Sequence, residues 1–223
     1  MTTKTPSKAE QTRERILAAA LTLFRERGFE ETTMREIAAE AGMAVGAAYY
    51  YFESKEALVL SFYERAASDR RDLADEALAA HETLEARVAA VLDITLRYFE
   101  PNRKFLGALL RHAGDPKHPL SPFSQETREL REQNIGQFAQ AIEGSDVKAP
   151  SDLAPHLPRL LWLYQMGLIL FWLYDHSPNQ TRTAQLMAQS LPLVVTLIKL
   201  AKNPLLRPVR KRVLGLLETV YAD

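Results

Sequence analysis

Apolar residues recur along this chain at the three- and four-residue spacings of helices, and Pro and Gly punctuate the runs. A first amphipathic helix is predicted over about residues 8–27 and ends at Gly28. A compact group follows over about 33–52. A long fourth helix starts at Lys55 and reaches about Ala80; a fifth covers about 84–99, before Pro101. The sixth, about 102–113, ends at Gly114. The loop DPKHPLSP comes next, and Ser121–Pro122 is in the cap and first-turn order that opens a helix, here the seventh, to about Gly144. After the loop SDVKAPSD, an eighth helix spans about 152–175 and a ninth about 179–202, with Pro192 expected to kink or break it near Ser190–Leu191. Pro204 and Pro208 bracket the start of a last helix, to about Tyr221. The expected fold is all-α, a small N-terminal head followed by a larger helical body.

The segment TTMREIAAEAGMAVGAAYYYFESK, residues 32–55, carries the most functional information. Thr33 and Glu36 have capping-box spacing. Met34, Ile37, Ala38 and Ala41 then fall on one helical face, and Gly42 ends that helix where a left-handed residue is needed. Val45–Phe52 is too short to stand alone and must lean on a neighbour. Ser54 can cap the helix that begins at Lys55. Two helices joined by a short Gly-containing turn make a helix-turn-helix, whose second helix enters the major groove of DNA.

This stretch, with TRERILAAALTLFRERGFEETT before it, closely resembles the N-terminal domain of TetR-family transcriptional regulators over about residues 10–60. The pattern is carried by Ile16, Ala20, Phe24, Gly28, Phe29, Thr32–Thr33, Ile37–Ala38, Ala41–Gly42, Gly46, Tyr49, Phe52, Lys55 and Leu58. The resemblance implies a prokaryotic source, a three-helix DNA-binding domain over 1–54 and a ligand-binding and dimerisation domain over 55–223. The family run after the turn glycine is similar to V-S-x-G-T-L-Y-x-x-F. Here Ala44 replaces the capping Ser, Val45 stands where Lys is frequent, and Ala47 replaces Thr. Each change removes a polar group. Val45 and Ala47 can touch thymine methyls and cannot make a bidentate base contact. Tyr49, Tyr50, Ala47 and Val45 are expected to approach bases; Thr33, Gly46, Tyr51 and Lys55 are expected to approach phosphate. Core packing is the competing reading for the tyrosines, but a run of three cannot all face inward. Phe52 and Ala48 are assigned to the core. Lys55 at a helix start is disfavoured by the helix dipole, and a phosphate there would remove the penalty.

Composition refines this picture. The chain of 223 residues has no cysteine, so disulfides and thiolate metal sites are excluded. No metal or cofactor is expected. Its N-terminus is polar and lacks an apolar signal segment. Leu157–Tyr174, the most apolar stretch, is short for a bilayer span. A soluble, cytoplasmic protein with no membrane partner is expected. Net charge is zero, and the first 56 residues hold eight Lys/Arg against nine Asp/Glu. Lys4, Lys8, Arg13 and Arg15 cluster at a start read as a flexible arm, which could follow the DNA backbone or be merely solvated.

The eighth helix is apolar nearly all round beyond Arg159, so it must face more than its own domain. A partner subunit is the economical answer, and a close backbone crossing would explain Gly167. Leu186, Ser190, Leu193, Leu197 and Leu200 line one side of the ninth helix. Helices over about 152–175 and 179–202 from two subunits would form the four-helix dimer interface typical of the resembled family. The last helix is basic and amphipathic: no acidic residue occurs from His176 to Leu217, against seven Lys/Arg. Its alternative readings are a helix packed on the body and a membrane-surface or scaffold element.

The resemblance also implies a small-molecule inducer within the C-terminal domain. Phe105, Leu109, His112, Trp162, Gln165, Met166 and Ile169 are the candidate lining, and their few polar groups point to a mostly apolar compound. Against an enzyme, the five His form no i, i+4 pair, no His-Glu-x-x-His run exists, and there is neither a P-loop nor GxGxxG. The reading that results is a homodimeric repressor that binds a palindromic DNA operator and is released by an inducer.

Overall fold

The computed structural model describes residues 7–113 and 115–221, and every regular element among them is helical. The chain divides into two compact units. The first comprises Met1–Asp69 and Phe99–Arg131, the second Arg70–Tyr98 and Glu132–Asp223.

In the first unit, α1 (Lys8–Arg27) is opened by Ser7, whose hydroxyl accepts from the Glu10 amide in a full capping box. It buries Ile16, Leu17, Ala20, Leu23 and Phe24. Gly28 ends it at φ 94°, a region L side chains rarely adopt. Helix α2 (Met34–Glu40) and helix α3 (Val45–Tyr51) follow, joined through Gly42 at φ 67°. The expected face of α2 is the buried one: Met34, Ile37, Ala38 and Ala41 are all within the core. Helix α4 (Lys55–Ala80) starts with the Ser54 hydroxyl accepting from the Ala57 amide at 3.1 Å, and it is divided between the units at Asp69. Phe24 stacks on Phe105 of α6 (Arg103–Ala113) at 5.0 Å between ring centroids, and Phe29 and Phe62 complete the aromatic centre of this unit.

The seventh helix begins later than the sequence predicts. Helix α7 is Arg128–Glu143, and residues 115–127 form successive turns. The Ser and Thr side chains that resemble a helix start instead close those turns. The Thr127 hydroxyl donates to the Ser121 carbonyl at 2.7 Å, and Arg131 donates to the carbonyls of Pro122 and Ser124 at 2.9 and 3.0 Å.

The second unit contains α5 (Leu84–Phe99) for most of its length, α8 (Leu157–Tyr174), α9 (Thr181–Leu200) and α10 (Arg207–Tyr221). Its core gathers Leu84, Val88, Val91 and Leu92 of α5, Phe138 and Ala141 of α7, Leu161, Trp162 and Leu168 of α8, and Leu191, Val195 and Ile198 of α9. Arg87 is buried in this unit. Its guanidinium donates to the carbonyls of Leu78, His81, Gln140 and Ala141, so one cation satisfies the C-terminal ends of α4 and α7.

Helix α8 is shorter than predicted at its start, because 151–156 are turns. Helix α9 runs through Pro192 from Thr181 to Leu200, so of the expected kink or break the break does not occur. The Ser190 and Thr196 hydroxyls donate to the Leu186 and Pro192 carbonyls at 2.6 and 2.7 Å around that position. A buried carboxylate sets its start: Asp175 accepts from the amides and hydroxyls of both Ser177 and Thr183. Burial alone pushes that carboxyl up, and these four bonds hold it well below the usual carboxylate range. The segment Pro178–Leu200 is, by length and composition, long and apolar enough to cross a membrane. Helix α10 is tied down by Arg210, which donates to Asp152 at 2.8 Å and to the Ala201 carbonyl at 2.5 Å, and by Leu214 against the core. Val209, Val213 and Leu216 of α10 remain exposed.

Candidate nucleic-acid interface

Helix α2 is set by its capping box. The Glu36 amide donates to the Thr33 hydroxyl at 3.3 Å, and the Thr33 amide donates back to the Glu36 carboxylate at 2.8 Å. That amide, with the Thr33 hydroxyl and Arg27, holds the Glu36 carboxyl below its ordinary value. Thr33 is exposed at the corner of the motif, with its hydroxyl also donating to Glu36 at 2.8 Å.

Helix α3 has no side-chain cap, which is the direct consequence of Ala44 at its N-cap. Its inward residue is Ala48, fully buried, followed by Phe52 at 3 % exposure, as assigned from sequence. The opposite side is bare. Tyr50 is 84 % exposed and Tyr49 50 % exposed; Gly46 and Ala47 are exposed, and Val45 is half-buried. Tyr51 is half-buried, with its ring edge-on to Tyr50 at 5.2 Å between centroids. The structure therefore brings Val45, Gly46, Ala47, Tyr49 and Tyr50 to one outward surface of a seven-residue helix, with Tyr51 at its margin.

Lys55 is occupied. Its Nζ donates to the Phe29 carbonyl at 2.7 Å and the Glu30 carbonyl at 3.3 Å, and it lies 4.5 Å from the Phe29 ring centroid. Two carbonyls answer the charge at this helix start. Arg13 is similarly engaged: Nη1 donates to the Tyr51 carbonyl at 3.0 Å, and its guanidinium carbon lies 4.3 Å from the Phe52 ring centroid. Lys8, Arg13 and Arg15 belong to α1 rather than to a flexible arm, and Lys4 lies outside the described residues. A signal for Arg13 existed in the sequence: positions 13, 16, 17 and 20 share one helical face, so Arg13 extends the buried stripe of α1.

This two-helix geometry has close counterparts. A family model described as bacterial regulatory proteins, tetR family, matches residues 16–62, and one described as tetracyclin repressor-like, C-terminal domain, matches residues 87–213. The chain belongs to the TetR family of transcriptional regulators. Its similarity to the regulator AcrR of Shigella flexneri runs at 28% identity over 182 residues, 78% of this chain and 84% of that protein. The regulator YerO of Bacillus subtilis is 50% identical over 52 residues, 23% of this chain and 18% of that protein. Among solved structures, a tetR-family regulator from Streptomyces coelicolor has the same fold at a TM-score of 0.61, with 24% identity, 92% of this chain and 89% of that one. FadR of Bacillus subtilis, in complex with stearoyl-CoA, aligns at a TM-score of 0.63 with 16% identity, covering 82% of this chain and 97% of that one.

The inducer-lining residues expected of a TetR-family body are divided between the two units. Phe105 and Leu109 are core residues of the first unit, Phe105 stacked on Phe24. Trp162, Gln165, Met166 and Ile169 belong to α8 in the second unit. Trp162 and Gln165 are buried there, and the Gln165 Oε1 has no hydrogen-bond partner. The side chain of His112 lies outside the described residues.

Proposed function

We propose that this TetR-family chain is a ligand-responsive repressor that binds a palindromic operator as a homodimer. The observation that carries the reading is the bare surface of α3: two tyrosine rings beside Ala47 and Val45, on the second helix of a helix-turn-helix. Tyr49, Tyr50, Ala47 and Val45 read base edges and thymine methyls, and Thr33, Gly46 and Tyr51 lie along the backbone, while the Lys55 ammonium is taken by the Phe29 and Glu30 carbonyls. Residues 1–54 act as the DNA-binding domain and 55–223 as the ligand-binding and dimerisation domain. The protein acts in the cytoplasm and carries no catalytic step.

The dimer is supported by the outward faces of α8 and α9. Leu170, Phe171 and Tyr174 are exposed on α8, and Leu186, Leu193, Leu197 and Leu200 on α9. Gly167 shares the α8 face, and a Cβ added there meets nothing within 4 Å, so the close crossing expected at this glycine does not occur within one chain. A second copy packed there would supply it. The inducer site is supported by Gln165, because a buried amide oxygen without a partner costs free energy that a ligand donor would recover. The inducer is then a mostly apolar compound that presents an N–H or O–H.

The test is selection of genomic fragments by the purified full chain, followed by sequencing. The expected product is an inverted repeat whose half-sites lie about 34–36 Å apart or a multiple of that. Recovery of fragments with no common motif defeats the reading.

A further inference from the structure

Helix α3 depends on its neighbours for its place. It is seven residues long, its N-terminus carries no side-chain cap, and Ala48 is its buried residue. A helix this short does not persist without outside contacts. Two cations of the head lie where such contacts are needed. Arg13 reaches from α1 to the Tyr51 carbonyl, at the C-terminal end of α3, while its guanidinium lies over Phe52. Lys55 reaches back from the start of α4 to the Phe29 and Glu30 carbonyls, just beyond the end of α1, while its ammonium lies over the Phe29 ring. The last carbonyls of a helix have no intrahelical donor and carry the negative end of its dipole, so a cation is favoured at Tyr51, whereas the Phe29 and Glu30 carbonyls lie in the turn after α1 and accept from the ammonium as ordinary turn carbonyls.

We propose that Arg13 and Lys55 are positioning residues of the recognition helix, and that neither cation contributes to phosphate neutralisation. Arg13 fixes the end of α3 against α1; Lys55 fixes the corner between α1 and α2 against α4. Each already donates to carbonyls and covers an aromatic face, so movement to a DNA phosphate would undo the contacts that aim Tyr49 and Tyr50. The inference rests on the DNA-binding reading above and refines the part Lys55 plays in it. It also divides the head's charge. Arg27 is paired with Glu36, so backbone attraction falls to cations without such ties, such as Arg35, Lys8 and Arg15.

The experiment uses the full chain with Arg13→Met, Arg13→Lys and Lys55→Met. Binding is titrated against the selected operator and against a duplex of unrelated sequence, over a range of salt. Positioning predicts that operator affinity falls roughly ten- to hundredfold in either Met variant. Affinity for the unrelated duplex, and its slope against log salt, stay at the wild-type values. A phosphate contact predicts the opposite: both duplexes lose affinity together, and the unrelated-duplex slope becomes shallower by about 2 for a dimer that loses one contact per head. That result overturns the proposal. Arg13→Lys keeps the charge and loses the planar fork; if Arg13→Met does not fold, this variant decides, with weakened operator binding at constant slope expected and wild-type operator binding fatal. Wild-type protein that shows no preference for any sequence would instead sink the DNA-binding reading itself.

Discussion

Tyr50 and Arg87 mark the two extremes of what one side chain does in this molecule. The Tyr50 ring is exposed and touches only Tyr51 among the aromatic contacts described, so its removal leaves the core untouched. Tyr50→Ala is therefore expected to change unfolding free energy by less than about 0.5 kcal/mol, while operator binding weakens by about 1–3 kcal/mol. Paired thermal melts and operator titrations check this, and unchanged affinity would make the ring a bystander. Arg87 is the reverse case, a cation buried for structure. A Cβ at Gly144 would lie 2.8 Å from the Arg87 Cζ. A free arginine tip would swing aside, but this one is held by four carbonyls. Gly144→Ala is expected to destabilise the fold by about 1–3 kcal/mol, read by denaturant unfolding; wild-type stability would show that the guanidinium has room to move. The two residues also differ in how far sequence discloses them. Three adjacent tyrosines cannot all be buried, so their exposure was readable. Arg87 and Lys55 bond to main-chain carbonyls, which every residue carries, so no partner residue in the sequence announces them. For Lys55 the dipole argument points to the deficit at the start of α4, and the Phe29 and Glu30 carbonyls that meet it are main-chain groups with no side-chain signature.

At the scale of elements, capping chemistry was legible where a side chain and its partner are three residues apart. Thr33 and Ser54 cap as their spacing requires, and Ser7, not singled out in the sequence, closes a capping box with Glu10 in the same way. The absence of a cap on α3 follows equally directly from Ala44. Sequence reading failed where the same residue types close turns. Ser121, Ser124 and Thr127 are buried and bonded among themselves and to nearby carbonyls, so a Ser-Pro pair that resembles a helix start opens no helix. Pro192 allows a kink or a break from sequence alone, and the structure excludes the break. Proline removes one amide donor, but tertiary packing of Leu191, Val195 and Ile198 carries α9 past it. The Asp175 clamp at the start of α9 yields a pH prediction. Its carboxyl is depressed in the folded state, so the stabilisation is fully present above the unfolded value of about 4 and is lost as pH falls below it. Asp175→Asn should lower the melting temperature at neutral pH, and the gap to wild type should narrow as the pH is taken below about 4. A gap that stays constant across that range would mean the carboxylate charge is not what Ser177 and Thr183 stabilise.

At the scale of the whole molecule, the apolar surface left by one chain bears on the proposed assembly. Leu193 and Leu197 are 59 % and 58 % exposed on α9, one helical turn apart, and Leu200 continues the row. Soluble monomers rarely leave so continuous an apolar face in water. The proposed two-fold dimer would bury the face against itself and would bring two recognition helices to one duplex. The same face is what makes Pro178–Leu200 resemble a membrane span by composition. The two possibilities separate cleanly. A dimer of this 25.2 kDa chain should sediment at about twice that mass at micromolar concentration without detergent. Leu193→Glu with Leu197→Glu places two carboxylates from each subunit against their symmetry mates, so the variant is expected to sediment as a folded monomer. Because each half-site then binds alone, its operator affinity should approach that for a single half-site, a loss of on the order of a hundredfold or more. The core of the second unit does not use these two positions, so helical content and cooperative melting should survive. If the variant remains a tight dimer, the interface lies elsewhere on the chain, and the exposed row on α9 has some other occupant.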